Sequence, residues 1–287
     1  MSIIRETSVV NIKNKMTEIR RNRNGKSIYH NYFNNCDGDE EIFALYGEST
    51  VVFWDNDQGV ERVYFYSSDE EELTSLLKQV PTGCIIDYVT RNKDERIRRV
   101  IEQGNWQFLH EMHRMVMGKK TEEEQRDLEE KKRAMYEVLW RPNNVRCAEI
   151  QDVDYLYKKL YEVFDERESH LPAKEELRTF IKNRWVSVYA VEGEIKGFQI
   201  FKVEKGQFYG YQIWNDVGPE GYFSLNEMTN KLYGKYLEKH KVEIEREHIK
   251  PKPSYCWVNV NNKKNMRLVK FWGQKFDGLY DFVYEKL

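Results

Sequence analysis

From Glu41 onward the chain reads as short runs of β-branched and aromatic residues cut by turn residues. Ile42–Tyr46, Thr50–Trp54 and Val60–Tyr66, parted by Gly47-Glu48 and by a DNDQG loop, predict an antiparallel meander. Ser67 with Glu70, or Ser68 with Glu71, offers a capping box for a short helix that Pro81-Thr82-Gly83 ends. A strand over Cys84–Val89, a helix over Glu95–Glu102, Gly104 and a last strand over Trp106–Met117 complete the first half. The second half follows the same plan. Helices are predicted over Asp152–Phe164 and Pro172–Asn183, then a meander of Val186–Val191, Ile195–Val203 and Gln207–Trp214. Ser224 with Glu227 forms a second capping box and sets the start of the next helix. The chain closes with a strand at Tyr255–Val260, a helix at Asn261–Phe271, a glycine stop at Gly273 and an extended run over Phe276–Glu285.

The two halves are copies. Ile85–Val89, Arg98-Arg99-Val100 and Gly104 match Ser254–Val258, Arg267-Leu268-Val269 and Gly273 at a constant separation of 169 residues. Phe43–Glu48 matches Tyr189–Glu194 at a separation of 146, so 23 extra residues of the second copy lie between its meander and its last strand unit. Between the copies, residues 119–141 intersperse seven acidic and seven basic side chains behind a Thr121/Glu124 capping box, the pattern of a solvent-facing linker helix. Arg141-Pro142-Asn143-Asn144 stops it. The expected division is therefore 1–118, a linker helix at 119–143, and 144–287. Residues 1–40 carry the weakest pattern. Their Arg20, Arg21, Arg23 and Lys26 read as a solvated helix end or loop, with a phosphate- or RNA-binding patch as the alternative.

Composition narrows the class. At 287 residues there is room for two cores, and 14% aromatic content argues against disorder despite 33% charged residues. A net charge of −2 gives no global attraction to nucleic acid or acidic membranes. No run reaches the length of a membrane span, and the first residues have no signal-peptide core. Cys36, Cys84, Cys147 and Cys256 are scattered without zinc or redox spacing, as expected for reduced, mostly buried thiols in a cytoplasmic protein. His110 and His113 sit three apart on a predicted strand, facing opposite sides, so no metal is expected. There is no Walker loop, no G-x-G-x-x-G and no nucleophile elbow.

Two helices, a three-strand meander, a loop entering a helix, then strand, helix, Gly and closing strand is an order that resembles the GNAT acyl-CoA N-acyltransferase superfamily. The segment Trp257–Asn259 through Gly273 to Phe276–Tyr280 resembles that family's C-terminal block. The resemblance covers 144–287 well and 40–118 more faintly. It implies an α+β fold of two tandem GNAT-like domains, each a mixed, mostly antiparallel sheet flanked by helices, with a degenerate N-terminal copy. It implies acetyl-CoA as co-substrate, its thioester arm in a splay between the fourth and fifth strands and its diphosphate on a helix N-terminus.

Carried over residue by residue, the family's diphosphate loop falls on Gly218-Pro219-Glu220-Gly221-Tyr222-Phe223. Gly221 is kept, Pro219 removes an N–H, Glu220 adds negative charge, and the Phe223 ring is expected to crowd the diphosphate. Asn262 matches the family's pantetheine-facing Asn. Val269 stands where the family has a Tyr acid, leaving Tyr280 or Tyr284 as candidates for that role. The fourth strand has no carboxylate, which leaves Asp216 as the nearest base. The implied site is thus Tyr280 and Asp216 for proton transfer, with Ile213, Trp214, Gly218, Gly221, Tyr222, Asn262 and Phe271 on the co-substrate and backbone N–H near Ile213–Trp214 on the acyl carbonyl. Aromatic residues on the Gln207–Trp214 strand, with Trp257, Phe271 and Trp272, serve either as core or as the wall of an acceptor pocket. The expected reaction is direct acyl transfer to a small-molecule or peptide amine, with no nucleic acid, membrane or metal. Two alternatives stay open: a GNAT-fold binding protein that lost its CoA site, and an aminoacyl-tRNA-dependent transferase, which would employ the Arg20–Lys26 cluster.

Overall fold

The computed structural model describes residues 3–6, 9–31, 42–91, 93, 95–118, 120–204, 207–248 and 254–287. Cys36 lies outside them. The N-terminal half runs β1 (Ile4–Glu6), α1 (Val9–Asn22), β2 (Tyr29–His30), β3 (Ile42–Tyr46), β4 (Thr50–Asp57), β5 (Val60–Ser67), α2 (Glu70–Leu77), β6 (Ile85–Thr90), α3 (Glu95–Gln103) and β7 (Trp106–Met117). The linker helix α4 (Glu122–Leu139) follows. The C-terminal half contains β8 (Val145–Cys147), α5 (Val153–Val163), α6 (Lys174–Lys182), β9 (Val186–Val191), β10 (Glu194–Glu204) and β11 (Gln207–Asn215). It ends with α7 (Pro219–Lys239), α8 (Lys241–Arg246), β12 (Tyr255–Asn259), α9 (Lys263–Phe271) and β13 (Gln274–Lys286). No described helix is long and apolar enough to cross a membrane.

The repeated unit is present at both places. In each copy a strand, a helix and a glycine lead into a long closing strand, and Gly273 adopts φ +81°, a left-handed turn that glycine makes without steric cost. What the pattern did not disclose is how the copies combine. The larger sheet has the order β1-β3-β4-β5-β6-β13-β7-β12, with β2 on β5. Each closing strand therefore lies beside the other copy's opening strand: β13 pairs with β6, β7 pairs with β12, and the two closing strands pair with each other, all antiparallel. The cores follow the exchange. Phe282 and Tyr284 of β13, both fully buried, belong to the N-terminal core with Trp54, Phe65 and Leu77. Met115 of β7 packs with Val258 and Val269 of the C-terminal copy. The remaining strands of that copy form a second sheet, β11-β10-β9-β8, with α5 and α6 packed on one face and α7 over the other.

Several local readings change. Asp69, not Ser67 or Ser68, caps α2 by accepting from the Glu72 N–H, because Ser67 is committed to Thr50 and to the Asp69 backbone. Helix α7 starts at Pro219, five residues before the predicted cap, so Ser224 and Glu227 are interior and buried. Ser224 instead donates to the Leu139 carbonyl and accepts from Arg141 N–H, while Glu227 pairs with Lys132 of the linker helix at 2.7 Å. Pro219 explains the early start, since a proline at the first helical position forfeits no hydrogen bond. The Thr121/Glu124 capping box of α4 is formed, and α4 buries no residue fully. Helix α1 was not predicted: its buried Ile12, Met16 and Ile19 keep helical spacing, but the surrounding polar residues mask it.

Candidate functional site

Between β11 and β12 the two sheets part, and the fourth and fifth strands of the C-terminal copy form no ladder. The wedge holds a cavity of about 430 Å³. A bulge shapes its β11 wall: Tyr211 and Gln212 together face Ile200, between the pairs Gln199–Ile213 and Phe201–Gly210. Such a bulge breaks the ladder and re-aims side chains. Tyr211 packs towards the cluster beneath α5 and α6, whereas Gln199 bonds Asn226 of α7, so the walls come from both faces of the sheet. The opposite wall is Tyr255–Asn259, and α9 and the α5–α6 connection complete the lining.

Three polar atoms of the cavity lining are buried without a hydrogen-bond partner among the described residues: Gln199 Oε1, Gln212 Oε1 and Trp272 Nε1. Leaving such atoms unmet costs about 1–3 kcal/mol each. Unmet atoms of this kind call for a polar guest. Burial pushes the Cys256 thiol up to about 11 and the Tyr222 hydroxyl up to about 12, so both lining groups hold their protons at neutral pH.

Two carboxylates line the cavity: Glu227 of α7, which is paired with Lys132, and a second from a segment that sequence reasoning passed over. Glu168 sits in the α5–α6 connection, within the charge-dense run Asp165–His170. Asn259 Nδ2 lies 3.4 Å from both of its oxygens, and His110 Nδ1 lies 3.3 Å from Oε1. His110 is 4% exposed, and burial lowers its pKa against the opposing pull of Glu168. Nδ1 faces Glu168, while Nε2 is buried and unmet among the described residues. The opposite-faces expectation for His110 and His113 holds: His113 bonds Glu111 and stacks on Phe276 at 4.2 Å.

The residues singled out from sequence divide into two groups. Ile213, Tyr222 and Asn262 line the cavity, and Asn262 also caps α9 by accepting from Asn265 N–H. Trp214 lies behind the wall against Phe198 and under Lys159. Gly218 and Gly221 lie at the first turn of α7, outside the cavity, and Phe271 is 45% exposed. Asp216 is exposed beyond β11. Tyr280 stacks on Phe282 and Tyr284 accepts from Arg98, and neither is part of the cavity lining. Phe223 does not crowd the α7 terminus, since it is 1% exposed and packs between Tyr136 and Trp272.

The fit to the co-substrate differs along its length. The open wedge, its bulged strand and its unmet polar atoms suit an acyl-pantetheine arm. The first turn of α7 does not suit a diphosphate. Pro219 has no N–H, Tyr222 N–H is spent on the Gly218 carbonyl, and Glu220 faces Arg141 at 3.4 Å. Asn215 accepts from Val217 N–H and crowds Gly221.

In the N-terminal copy the equivalent wedge, between β5 and β6, is shut. Asn31, 2% exposed, donates to the carbonyls of Val63 and Asp87 at 2.9 and 3.1 Å and accepts from Phe65 N–H at 2.7 Å. It stitches the two strands together and occupies three of their backbone groups. The helix that follows opens with Asp69 as cap and Glu70, Glu71 and Glu72 in its first turn, which repels anions.

Solved structures place this architecture. A GCN5-related N-acetyltransferase from Sphaerobacter thermophilus superposes with a TM-score of 0.52 at 12% identity, over 88% of this chain and 82% of that one. A GNAT-family acetyltransferase from Colwellia psychrerythraea gives 0.49 at 11% identity over the whole of both chains. A tandem GNAT protein from the clavulanic acid biosynthesis pathway gives 0.49 at 8% identity, over 99% and 97%. No protein-family model and no curated protein matches the sequence. The chain has the GNAT fold, built as two tandem α+β copies.

Proposed function

We propose that the C-terminal copy is an N-acyltransferase site that moves an acetyl group from acetyl-CoA to an amine, with the wedge between β11 and β12 receiving the thioester arm. The observation that carries this reading is the contrast between the copies: one wedge is stitched shut by Asn31, the other is open and lined by unmet polar atoms. Acetyl-CoA supplies an activated acyl group. The protein has to orient the amine, take its proton and keep acids in the wedge protonated.

Glu168 is the proton acceptor in this reading, in place of Asp216. Asn259 and the neutral His110 fix its carboxylate at the cavity wall, so that an amine entering beside Met112 and Ser169 gives up a proton to it as nitrogen bonds the acyl carbon. Tyr222, held protonated by burial, is available to the departing thiolate in place of Tyr280. Trp272 Nε1 lies in the lining as an unmet donor for the acyl oxygen. The test is acetyl-CoA-dependent acetylation of a panel of small amines and amino-terminal peptides, read by product mass, with Glu168→Gln as control. Product that forms with the native chain and fails with the variant supports the role. Equal product from both removes Glu168 from it.

A second reading rests on the first turn of α7. Pro219, Glu220 and the Arg141 pair leave little for a diphosphate, which favours a GNAT-fold binding protein that uses the wedge without chemistry. In that case small acyl or pantetheine-like ligands bind and no product forms.

A further inference from the structure

A second cavity, of about 420 Å³, lies at the other end of α7. The last turn of α6 and the turn Asn183-Arg184-Trp185 meet the last two turns of α7 there. Lys182, Arg184, Lys235, Lys239 and His240 line it, and no lining residue is acidic. None of the four Lys and Arg side chains has a carboxylate partner within ion-pair distance among the described residues, whereas His240 is shared with Glu243 at 3.1 Å.

Basic residues in a last helical turn are the ordinary complement of the helix dipole, and Lys182 and Lys239 qualify. Two helix ends, however, carry roughly half a negative charge each. About one negative charge is set against four formal positive ones, so a surplus of roughly three remains. Arg184 holds a φ of +60°, where glycine or asparagine is the economical choice, so the side chain is retained against a backbone cost. The indole N–H of Trp185 is buried without a partner among the described residues. The charged and unmet lining groups are donors, which is the chemistry of an oxyanion site. Beside them Tyr236 and His240 stack at 4.4 Å, with Trp185 edge-on to Tyr236 at 6.4 Å, an aromatic stack that a planar ring can extend.

We propose that this cavity binds a nucleoside polyphosphate, with the phosphates among Lys182, Arg184, Lys235 and Lys239 and the base against the Tyr236–His240 stack. The site lies outside the wedge and does not rest on the acyltransferase reading.

Calorimetric titration of the full chain with ADP, inorganic pyrophosphate and adenosine tests the assignment. ADP is expected to bind, more weakly as salt rises, with pyrophosphate at least tenfold weaker and adenosine silent. The Arg184→Ala/Lys235→Ala double variant should weaken ADP at least tenfold, and Lys235→Ala alone by a smaller factor. Cys256→Trp, which fills the wedge instead, should leave ADP binding intact. Absence of ADP binding, ADP affinity unchanged in the double variant, equal affinity for pyrophosphate, or loss of ADP binding in Cys256→Trp would each overturn the assignment.

Discussion

Glu168 of the C-terminal copy and His110 of the N-terminal copy's closing strand meet at 3.3 Å, the imidazole buried and the carboxylate at the wall of the open wedge. The proposed base is therefore held by residues of both copies, and the exchange of closing strands is what brings β7 beside β12 and puts His110 within reach. Replacing Glu168 by Gln keeps the shape and removes the proton acceptor. A fall in kcat/KM of about 10²–10⁴ is expected, with thermal stability unchanged. His110→Gln should give a smaller fall in kcat, since it loosens the carboxylate without removing it.

The same histidine makes stability depend on pH. Burial lowers its pKa in the folded chain, so the unfolded chain binds the proton more readily. Its contribution is then present above the ordinary histidine range and lost as pH falls through the folded value. Denaturant unfolding of the native chain should show stability declining on acidification below about pH 6.5. His110→Gln should flatten that decline, and an unchanged slope would assign it to other groups.

Asn31 bridges β5 and β6 with three backbone hydrogen bonds in the buried wedge of the N-terminal copy. Asn31→Leu strands two carbonyls and one N–H, and a loss of about 2–4 kcal/mol is expected in denaturant unfolding. The same variant should leave the affinity of the open wedge for its ligand unchanged, because the two wedges are separate.

Much of this architecture was legible in the chain, and for a local reason. The 169-residue repeat located both strand–helix–Gly–strand units because helix stops and alternating strands are written in neighbouring residues. The exchange was not legible, because β6 and β12 are equally good partners for either closing strand by pattern alone. The α7 start was misread because Ser224/Glu227 imitates a capping box, while Pro219 gives a competing start signal. Within the site, Ile213, Tyr222 and Asn262 followed from position in the fold. Glu168 did not, since a charged run between two helices looks like any solvated loop until β7 and β12 are seen beneath it. The crowding of Asp165, Arg167, Glu168 and His170 in one short connection was the available signal.

Exchange also ties the copies' stabilities together. Phe282 and Tyr284 fill the N-terminal core, and burying each fully is worth about 2 kcal/mol. Expressed separately, 1–143 and 144–287 should be unfolded or aggregated, because each lacks the strand that fills its sheet. Mixed during refolding, they should recover native circular dichroism and run as one species in gel filtration. Two independently folded, monomeric halves would show that the exchange is dispensable.

Whether the open wedge takes the acyl donor is decided by calorimetric titration of acetyl-CoA, with ADP present to saturate the second cavity, into the native chain and into Cys256→Trp, which fills the wedge. Saturable binding to the native chain that disappears in the variant is expected. No binding at millimolar acetyl-CoA, or equal binding by both proteins, would contradict the wedge as the acyl-donor site.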